Sequence, residues 1–193
     1  MVTSTITTEK QVQDVERKIA DLRKQLVALR KQSSGESVED YTLKRKDGSS
    51  VRLSELFGDK TDLIVIHNMG KRCSYCTLWA DGFNGVWRHL ENRAAFVLVS
   101  ADEPETMKQF TEGRKWGFTC LSGADSEFTH AMGYLDEKGD PKPGISTFAK
   151  DTTGRITRVS HTWFGPGDDF CATWHILDML NAGADGWSPK LSY

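Results

Sequence analysis

Residues 61–79 read TDLIVIHNMGKRCSYCTLW, and this stretch decides the fold. Its β-branched run, residues 64–66, is typical of a buried central strand. Two cysteines, Cys73 and Cys76, follow between the end of that strand and the start of a helical segment. A C-x-x-C pair in this position is a redox dithiol, half of a metal site or a pair of small apolar side chains.

Strand-like and helical segments alternate around this stretch. A helix is predicted to begin at Pro104 between two apolar strands, and a last helix is predicted from about Asp168 to Asn181. Strands that alternate with helices indicate a parallel sheet, and turns at Asp47-Gly48 and at residues 152–154 add antiparallel hairpins. The predicted fold class is α/β, a three-layer α/β/α sandwich around a central mixed sheet, in the thioredoxin-like order.

The N-terminal region predicts a long helical extension. Between Thr8 and Gln32, apolar residues recur in alternating steps of three and four, the a/d pattern of an apolar seam. They are Val12, Val15, Ile19, Leu22, Leu26 and Leu29. We expect this helix either to dock on its own domain or to form a homodimer with a second copy. The polar stretch from Ser33 to Ser37 reads as a linker, which predicts domains at residues 1–37 and 38–193.

Composition excludes several classes of partner. The formal net charge is −2, with 25 basic and 27 acidic residues, which offers no footprint for nucleic acid or an anionic membrane. No apolar run is long enough to cross a bilayer, and the N-terminal residues lack the apolar region of a secretory signal. We therefore expect a cytoplasmic protein, and in that reducing compartment closely spaced cysteines more often do redox chemistry or bind metal than staple a fold.

The position of the two cysteines favours dithiol chemistry. A helix N-terminus stabilises a thiolate, and Lys71 and Arg72 add positive charge, so the pKa of Cys73 should be lowered. Cys76 should lie one turn into the helix and be less accessible. The expected function is that of a thiol–disulfide oxidoreductase, in which Cys73 attacks and Cys76 resolves, on a small thiol or disulfide or a protein disulfide. No cofactor is expected.

The sequence resembles a bacterial thioredoxin-like family of unknown function that is loosely related to peroxide-reducing enzymes. The resemblance runs from about Tyr41 to the final helix and includes the N-terminal helix. It is carried by LSELFGDKTDLIVIH, CSYCTLWADGFNG, GADSEFTHAMGY, PGISTFAKD and VSHTW. This resemblance implies the thioredoxin-like architecture.

Comparison with thioredoxins implies two roles. They carry a buried acid six residues before the first cysteine as a proton acceptor, and that position here is His67, which either takes the proton of Cys76 or caps the strand end. They also carry a cis-proline opposite the disulfide, and Ser146 stands there, so we expect a trans peptide bond.

Four residues are predicted to contact substrate near the cysteines: Tyr75, Trp79, Ile145 and Ser146. For the aromatic members a place in the core is the alternative.

A peroxiredoxin-type peroxidase is not expected. Peroxiredoxins place a proline seven residues, and a threonine or serine three residues, before the peroxidatic cysteine. Counting back from Cys73 gives Ile66 and Gly70, and counting back from Cys76 gives Met69 and Cys73. Neither frame supplies the hydroxyl that would polarise a peroxide.

A metal-binding or redox-sensing module is the alternative function. Cys171 and His175 are four residues apart on the predicted last helix, and together with the C-x-x-C they form an acceptable Cys₃His zinc set. Cys120, inside a predicted strand, reads as a buried small apolar residue.

Overall fold

The computed structural model describes residues 2–32 and 35–193. Of the predicted linker, Ser33 and Ser34 lie outside the described residues. The chain divides into two compact units, residues 1–35 and 36–193. The predicted boundary, after residue 37, lies two residues beyond the boundary in the structure, after residue 35. Residues 36–38 already form a strand of the second unit.

The first unit is one helix, α1 (Val2–Gln32), which confirms the predicted N-terminal helix. Ion pairs three residues apart join Asp14 to Arg17 and Asp21 to Lys24 along it, and Arg30 and Lys31 place positive charge in its last turn. All six side chains of the apolar seam are between 43% and 64% exposed.

The second unit contains eight strands, four α-helices and one 3₁₀ helix among the described residues. The strands are β1 (Glu36–Val38), β2 (Thr42–Lys44), β3 (Ser50–Arg52), β4 (Asp62–Asn68), β5 (Ala95–Ser100), β6 (Thr119–Ser122), β7 (Gly144–Lys150) and β8 (Ile156–Trp163). The α-helices are α2 (Ser74–Arg93), α3 (Pro104–Gly113), α4 (Phe128–Ala131) and α5 (Ala172–Leu177), and the 3₁₀ helix spans Leu53–Phe57.

The strands form one mixed sheet in the order β1-β8-β7-β4-β5-β6-β2-β3. β4, β5 and β6 are parallel, and every other pairing is antiparallel. The parallel centre follows from the helical crossovers α2 and α3, and the antiparallel flanks follow from the hairpins β2–β3 and β7–β8. The predicted α/β class and mixed sheet are confirmed.

Side chains of the central strands alternate between two apolar layers. On β4, Leu63 and Val65 pack with the 3₁₀ helix and α4, whereas Ile66 packs with α2, α3 and α5. We call these two sides of the sheet the α4 face and the α2 face. The α2 face carries the aromatic-rich layer, and the α4 face is covered by the shorter helices.

The motif WADGFNG on α2 holds the connection between α3 and β6. Asp81 accepts hydrogen bonds from Arg114 Nε at 2.9 Å and from Trp116 Nε1 at 2.8 Å. The side chain of Asn84 accepts from the Gly117 amide at 2.8 Å and donates to the Lys115 carbonyl. These two polar side chains fix the loop that leads into β6.

The last helix is shorter than predicted, and this part of the sequence analysis was wrong. The prediction ran from about Asp168 to Asn181, but α5 spans only Ala172–Leu177. The Asp168 carboxylate accepts the amides of Gly165 and Phe170, at 3.0 and 2.8 Å, which closes a turn where the helix was expected to begin. Helical periodicity alone does not reveal this competing turn.

Gly144, the first residue of β7, is closely packed against its neighbours. A Cβ at this position would collide with the Thr162 carbonyl oxygen and the Tyr134 ring. We expect Gly144→Ala to lower the free energy of unfolding by about 1–3 kcal/mol, because the sheet must shift to admit the methyl group. Urea unfolding is the measurement. Gly165→Ala is the matched control, since its Cβ would meet nothing within 4 Å, and equal midpoints for both variants would contradict the prediction.

Candidate dithiol site

The loop between β4 and α2 is held near its start by two polar side chains. The Gly70 amide donates to Asn68 Oδ1 at 2.8 Å, and the Lys71 amide donates to Asp102 Oδ2 at 2.7 Å. Gly70 has φ +97°, and a Cβ there would lie 2.7 Å from Asp102 Oδ1, so only glycine fits this position. The loop therefore delivers Cys73 to a defined place.

Cys73 is the N-cap residue of α2. Its Sγ accepts the Cys76 amide at 3.1 Å, and its carbonyl accepts the amide and the hydroxyl of Thr77 at 3.0 and 2.9 Å. A side-chain acceptor at this position satisfies a backbone donor that the helix leaves free, and the partial positive charge of the helix end favours negative charge on the sulfur. Cys73 is half-buried, Cys76 is buried, and both are free thiols.

The two cysteines have opposed pKa shifts. The hydrogen bond from the Cys76 thiol lowers the pKa of Cys73 to about 7, against the opposing effect of burial, and the amides of Cys76 and Tyr75 add to the lowering. Donating that hydrogen bond and being buried raise the pKa of Cys76. The predicted lowering at Cys73 is found, but its causes are these hydrogen bonds, and the charges of Lys71 and Arg72 are not among them.

Cys73 opens into a pocket of about 690 Å³. One wall comes from the loop before α2 and its first turn, with Met69, Arg72 and Tyr75. The other wall is Asp136 and residues 140–143. The pocket offers the Cys73 sulfur to a molecule from solution, with charges of both signs around it.

The predicted substrate contacts are only partly assembled around this pocket. Tyr75 lines it, but Trp79 is 2% exposed in the core, where its indole N–H donates to Asp168 Oδ1 at 3.3 Å. Ser146 is fully buried, and Ile145 does not line the pocket. Every described peptide bond is trans, which confirms the expectation at Ser146.

Residues 140–143 take the position that was predicted for Ile145 and Ser146. This segment was not among the predicted substrate contacts. In the structure β7 begins at Gly144, which pairs with His67, so Ser146 already lies inside the sheet opposite Val65. The signal that could have identified this wall is the pair Pro141 and Pro143, which keeps the segment out of the sheet ladder immediately before β7.

His67 lies on the α4 face, away from the helix that carries the cysteines. Its Nε2 is 3.0 Å from Ser146 Oγ, and its ring stacks on Tyr134 and Phe128 with centroids 3.6 and 5.6 Å apart. Burial, with the nearby charge of Arg158, lowers the pKa of His67 to about 3. Such a weak base is poorly suited to take the Cys76 proton, and this geometry corrects the proton-acceptor role predicted for it.

The alternative zinc set is not assembled. Cys171 is buried at the residue before α5, and His175 Nε2 lies 3.0 Å from the Asp168 carbonyl oxygen. Within residues 2–32 and 35–193, no three His, Cys, Asp or Glu side chains are placed to hold one metal ion. Cys120 is buried as predicted, and burial raises the pKa of its thiol to about 12.

None of the helices in the described part of the chain is long and apolar enough to cross a membrane.

The fold and the site define a thioredoxin-like protein with a C-x-x-C dithiol at the start of a helix. Over residues 3–190 the sequence matches the family described as "Bacterial protein of unknown function (DUF899)", and the chain belongs to that family. This confirms the resemblance seen in the sequence.

Several proteins that this chain resembles are peroxiredoxins by name. Chloroplastic peroxiredoxin Q from Oryza sativa subsp. japonica is 26% identical over 149 residues, which cover 77% of this chain and 68% of the relative. The structure of peroxidoxin BcpB from Mycobacterium tuberculosis has a TM-score of 0.50 and 27% identity, covering 63% of this chain and 80% of that one. A peroxiredoxin-like protein from Aquifex aeolicus has a TM-score of 0.54 at 18% identity, covering 67% and 74% of the two chains, and shows the common fold.

The Cys76 side chain should control the acidity of Cys73. We expect Cys76→Ala to raise the Cys73 pKa from about 7 towards its ordinary value of 9.0, because the largest cause of the lowering is removed. Cys76→Ser keeps a hydrogen-bond donor and is expected to preserve most of the lowering. The pH dependence of alkylation of the reduced protein measures this pKa. If the Cys73 pKa stays at about 7 in both variants, the helix amides alone are responsible for the lowering.

His67 should make the folded state sensitive to acid. Its folded pKa of about 3 lies below the unfolded value of 6.5, so its contribution is complete above pH 6.5 and is lost as pH falls towards 3. Between pH 6.5 and about pH 5 this amounts to about 2 kcal/mol of unfolding free energy. His67→Phe keeps an aromatic ring and should flatten that slope in urea unfolding. His130→Gln is the control, because the His130 side chain is 74% exposed, and unchanged slopes in both would refute the assignment.

Proposed function

We propose that this protein is a thiol–disulfide oxidoreductase that uses Cys73 as nucleophile and Cys76 as resolving thiol. The observation that carries the proposal is the opposed acidity of the two sulfurs. The half-buried Cys73 has its pKa lowered to about 7 at the edge of a pocket, whereas burial and hydrogen bonding raise the pKa of Cys76 behind it. At neutral pH a substantial fraction of Cys73 is therefore the thiolate, whereas Cys76 remains protonated as the thiol.

The first step is attack by the Cys73 thiolate on a substrate disulfide. A new bond forms between Cys73 Sγ and one substrate sulfur, the substrate S–S bond breaks, and the other substrate sulfur leaves as a thiolate. The proton that Cys73 lost to solvent is available to this leaving group. The product is a mixed disulfide at the pocket wall.

The second step is attack by Cys76 on the Cys73 sulfur. Once Cys73 is in a mixed disulfide, it no longer carries the negative charge that keeps the Cys76 pKa high. Cys76 then releases its proton through solvent and forms the Cys73–Cys76 bond, and the second substrate sulfur leaves and takes up a proton. Two electrons have passed from the protein dithiol to the substrate, and a thiol reductant must restore the dithiol.

The pocket supports an accessible, polar substrate. Arg72 and Lys142 supply positive charge and Asp140 supplies negative charge around the sulfur. The disulfide of a small thiol compound, or an exposed disulfide on a protein surface, could bind in this pocket. A reducing compartment such as the cytoplasm would supply the thiols that regenerate the dithiol.

We do not assign peroxide reduction, although the relatives are named peroxiredoxins. Three residues before Cys73 stands Gly70, whose backbone conformation and contact with Asp102 admit no side chain. A hydroxyl-bearing residue is therefore excluded at that position by packing as well as by sequence. Among the described residues the metal-binding alternative has no assembled ligand set.

The test is the redox behaviour of the full chain. Equilibration in glutathione or dithiothreitol buffers, followed by thiol counting, should give a reversible two-electron disulfide with a potential of about −270 to −200 mV. With a glutathione-type or protein disulfide, Cys76→Ser should accumulate a mixed disulfide on Cys73, and Cys73→Ser should not react. A pair that never forms a disulfide would overturn the proposal. Hydrogen peroxide consumed at a rate that depends on Cys73 and exceeds disulfide turnover would also overturn it.

A further inference from the structure

The apolar seam of α1 has an internal pattern of side-chain sizes. Its N-terminal half holds the β-branched residues Val12, Val15 and Ile19, and its C-terminal half holds Leu22, Leu26 and Leu29. All six are exposed in the single chain. We propose that α1 pairs with α1 of a second copy as an antiparallel two-stranded coiled coil. This proposal does not depend on the proposed function.

An antiparallel arrangement gives every layer of the seam the same composition. Antiparallel helices pair an a position with a d position, and the register that uses all six residues pairs residue 12 with 29, 15 with 26, and 19 with 22 of the partner. Each layer then holds one β-branched residue and one leucine, so its volume is nearly constant along the seam. A parallel pair would stack valine on valine at one end and leucine on leucine at the other.

The flanking charges select the same orientation. In the parallel arrangement, the residue at g meets the residue at e five positions later in the partner, which places Lys18 against Arg23 twice. In the antiparallel register, e positions meet e positions, which places Glu16 against Arg23 twice, while Lys18 meets Gln25. Like charges are thus replaced by opposite charges on both sides of the central layer of the seam.

Reversing Arg23 separates the two orientations. In sedimentation equilibrium of the full chain, Arg23→Glu should raise the dimer dissociation constant by about tenfold, because two attractive pairs become repulsive. Glu16→Arg should do the same, and the double variant Glu16→Arg/Arg23→Glu should restore wild-type affinity. In a parallel dimer, Arg23→Glu would instead strengthen association through Lys18. That result, or a wild-type protein that stays monomeric at all concentrations, would overturn the proposal.

A distance measurement provides the second readout. A spin label on Lys10→Cys in a Cys73→Ser background marks the start of the seam, since the remaining native cysteines are buried. The antiparallel register places Lys10 opposite Lys31 of the partner, so the two labels should lie about 30 Å apart along the helix axis. Labels side by side would mean parallel helices and would overturn the proposal. An unchanged circular dichroism spectrum verifies that each variant folds.

Discussion

The hydrogen bond from the Lys71 amide to the Asp102 carboxylate is the constraint on which the site depends. Asp102 follows β5, and its carbonyl accepts the Ser122 hydroxyl at the end of β6, at 2.7 Å. One residue therefore ties together the carboxyl ends of all three parallel strands. In open α/β sheets this edge is where functional loops gather, and here it holds the segment that leads into Cys73. Because Gly70 and Lys71 are fixed and the Cys73 amide donates to the Gly70 carbonyl, the Cys73 sulfur meets the free amides of α2 without further ordering.

The sheet then divides the molecule into two chemical environments. The α2 face places the dithiol where a helix end and an open pocket meet. The α4 face buries His67 with Ser146 and Tyr134, where His67 Nε2 lies 3.0 Å from Ser146 Oγ and the Ser146 hydroxyl donates to the Tyr134 hydroxyl. Burial disfavours the charged form at both of these sites, but the outcomes differ. At Cys73, hydrogen bonds outweigh burial and favour the charged form, whereas at His67 nothing offsets burial and the neutral form prevails.

Sequence reasoning predicted the features that depend on local pattern. Local sequence alone predicts three features: the buried strand at residues 64–66, the Asp47-Gly48 turn and the helix that carries the α1 seam. The errors arose where register or long-range hydrogen bonding decides. Ser146 was assigned to the pocket because it stands where thioredoxins carry a cis-proline, but its place inside β7 depends on pairing with β4, which the sequence of one strand cannot reveal. His67 shares the parity of Leu63 and Val65 and therefore lies on their face, but the sequence alone does not say on which face α2 packs.

The N-cap position of Cys73 has a consequence for the reverse half of a redox cycle. Interactions that stabilise a sulfur as a thiolate also make it a good leaving group, since a disulfide breaks most readily towards its more acidic sulfur. A reductant that attacks Cys76 would release Cys73 as a thiolate, which the amides at the start of α2 stabilise. Cys76 is buried, however, so the accessible sulfur and the better leaving group are both Cys73, and attack at the accessible sulfur expels the poorer leaving group. Under the proposed oxidoreductase function, a reductant must therefore reach past the first turn of α2 to attack the sulfur that expels the better leaving group.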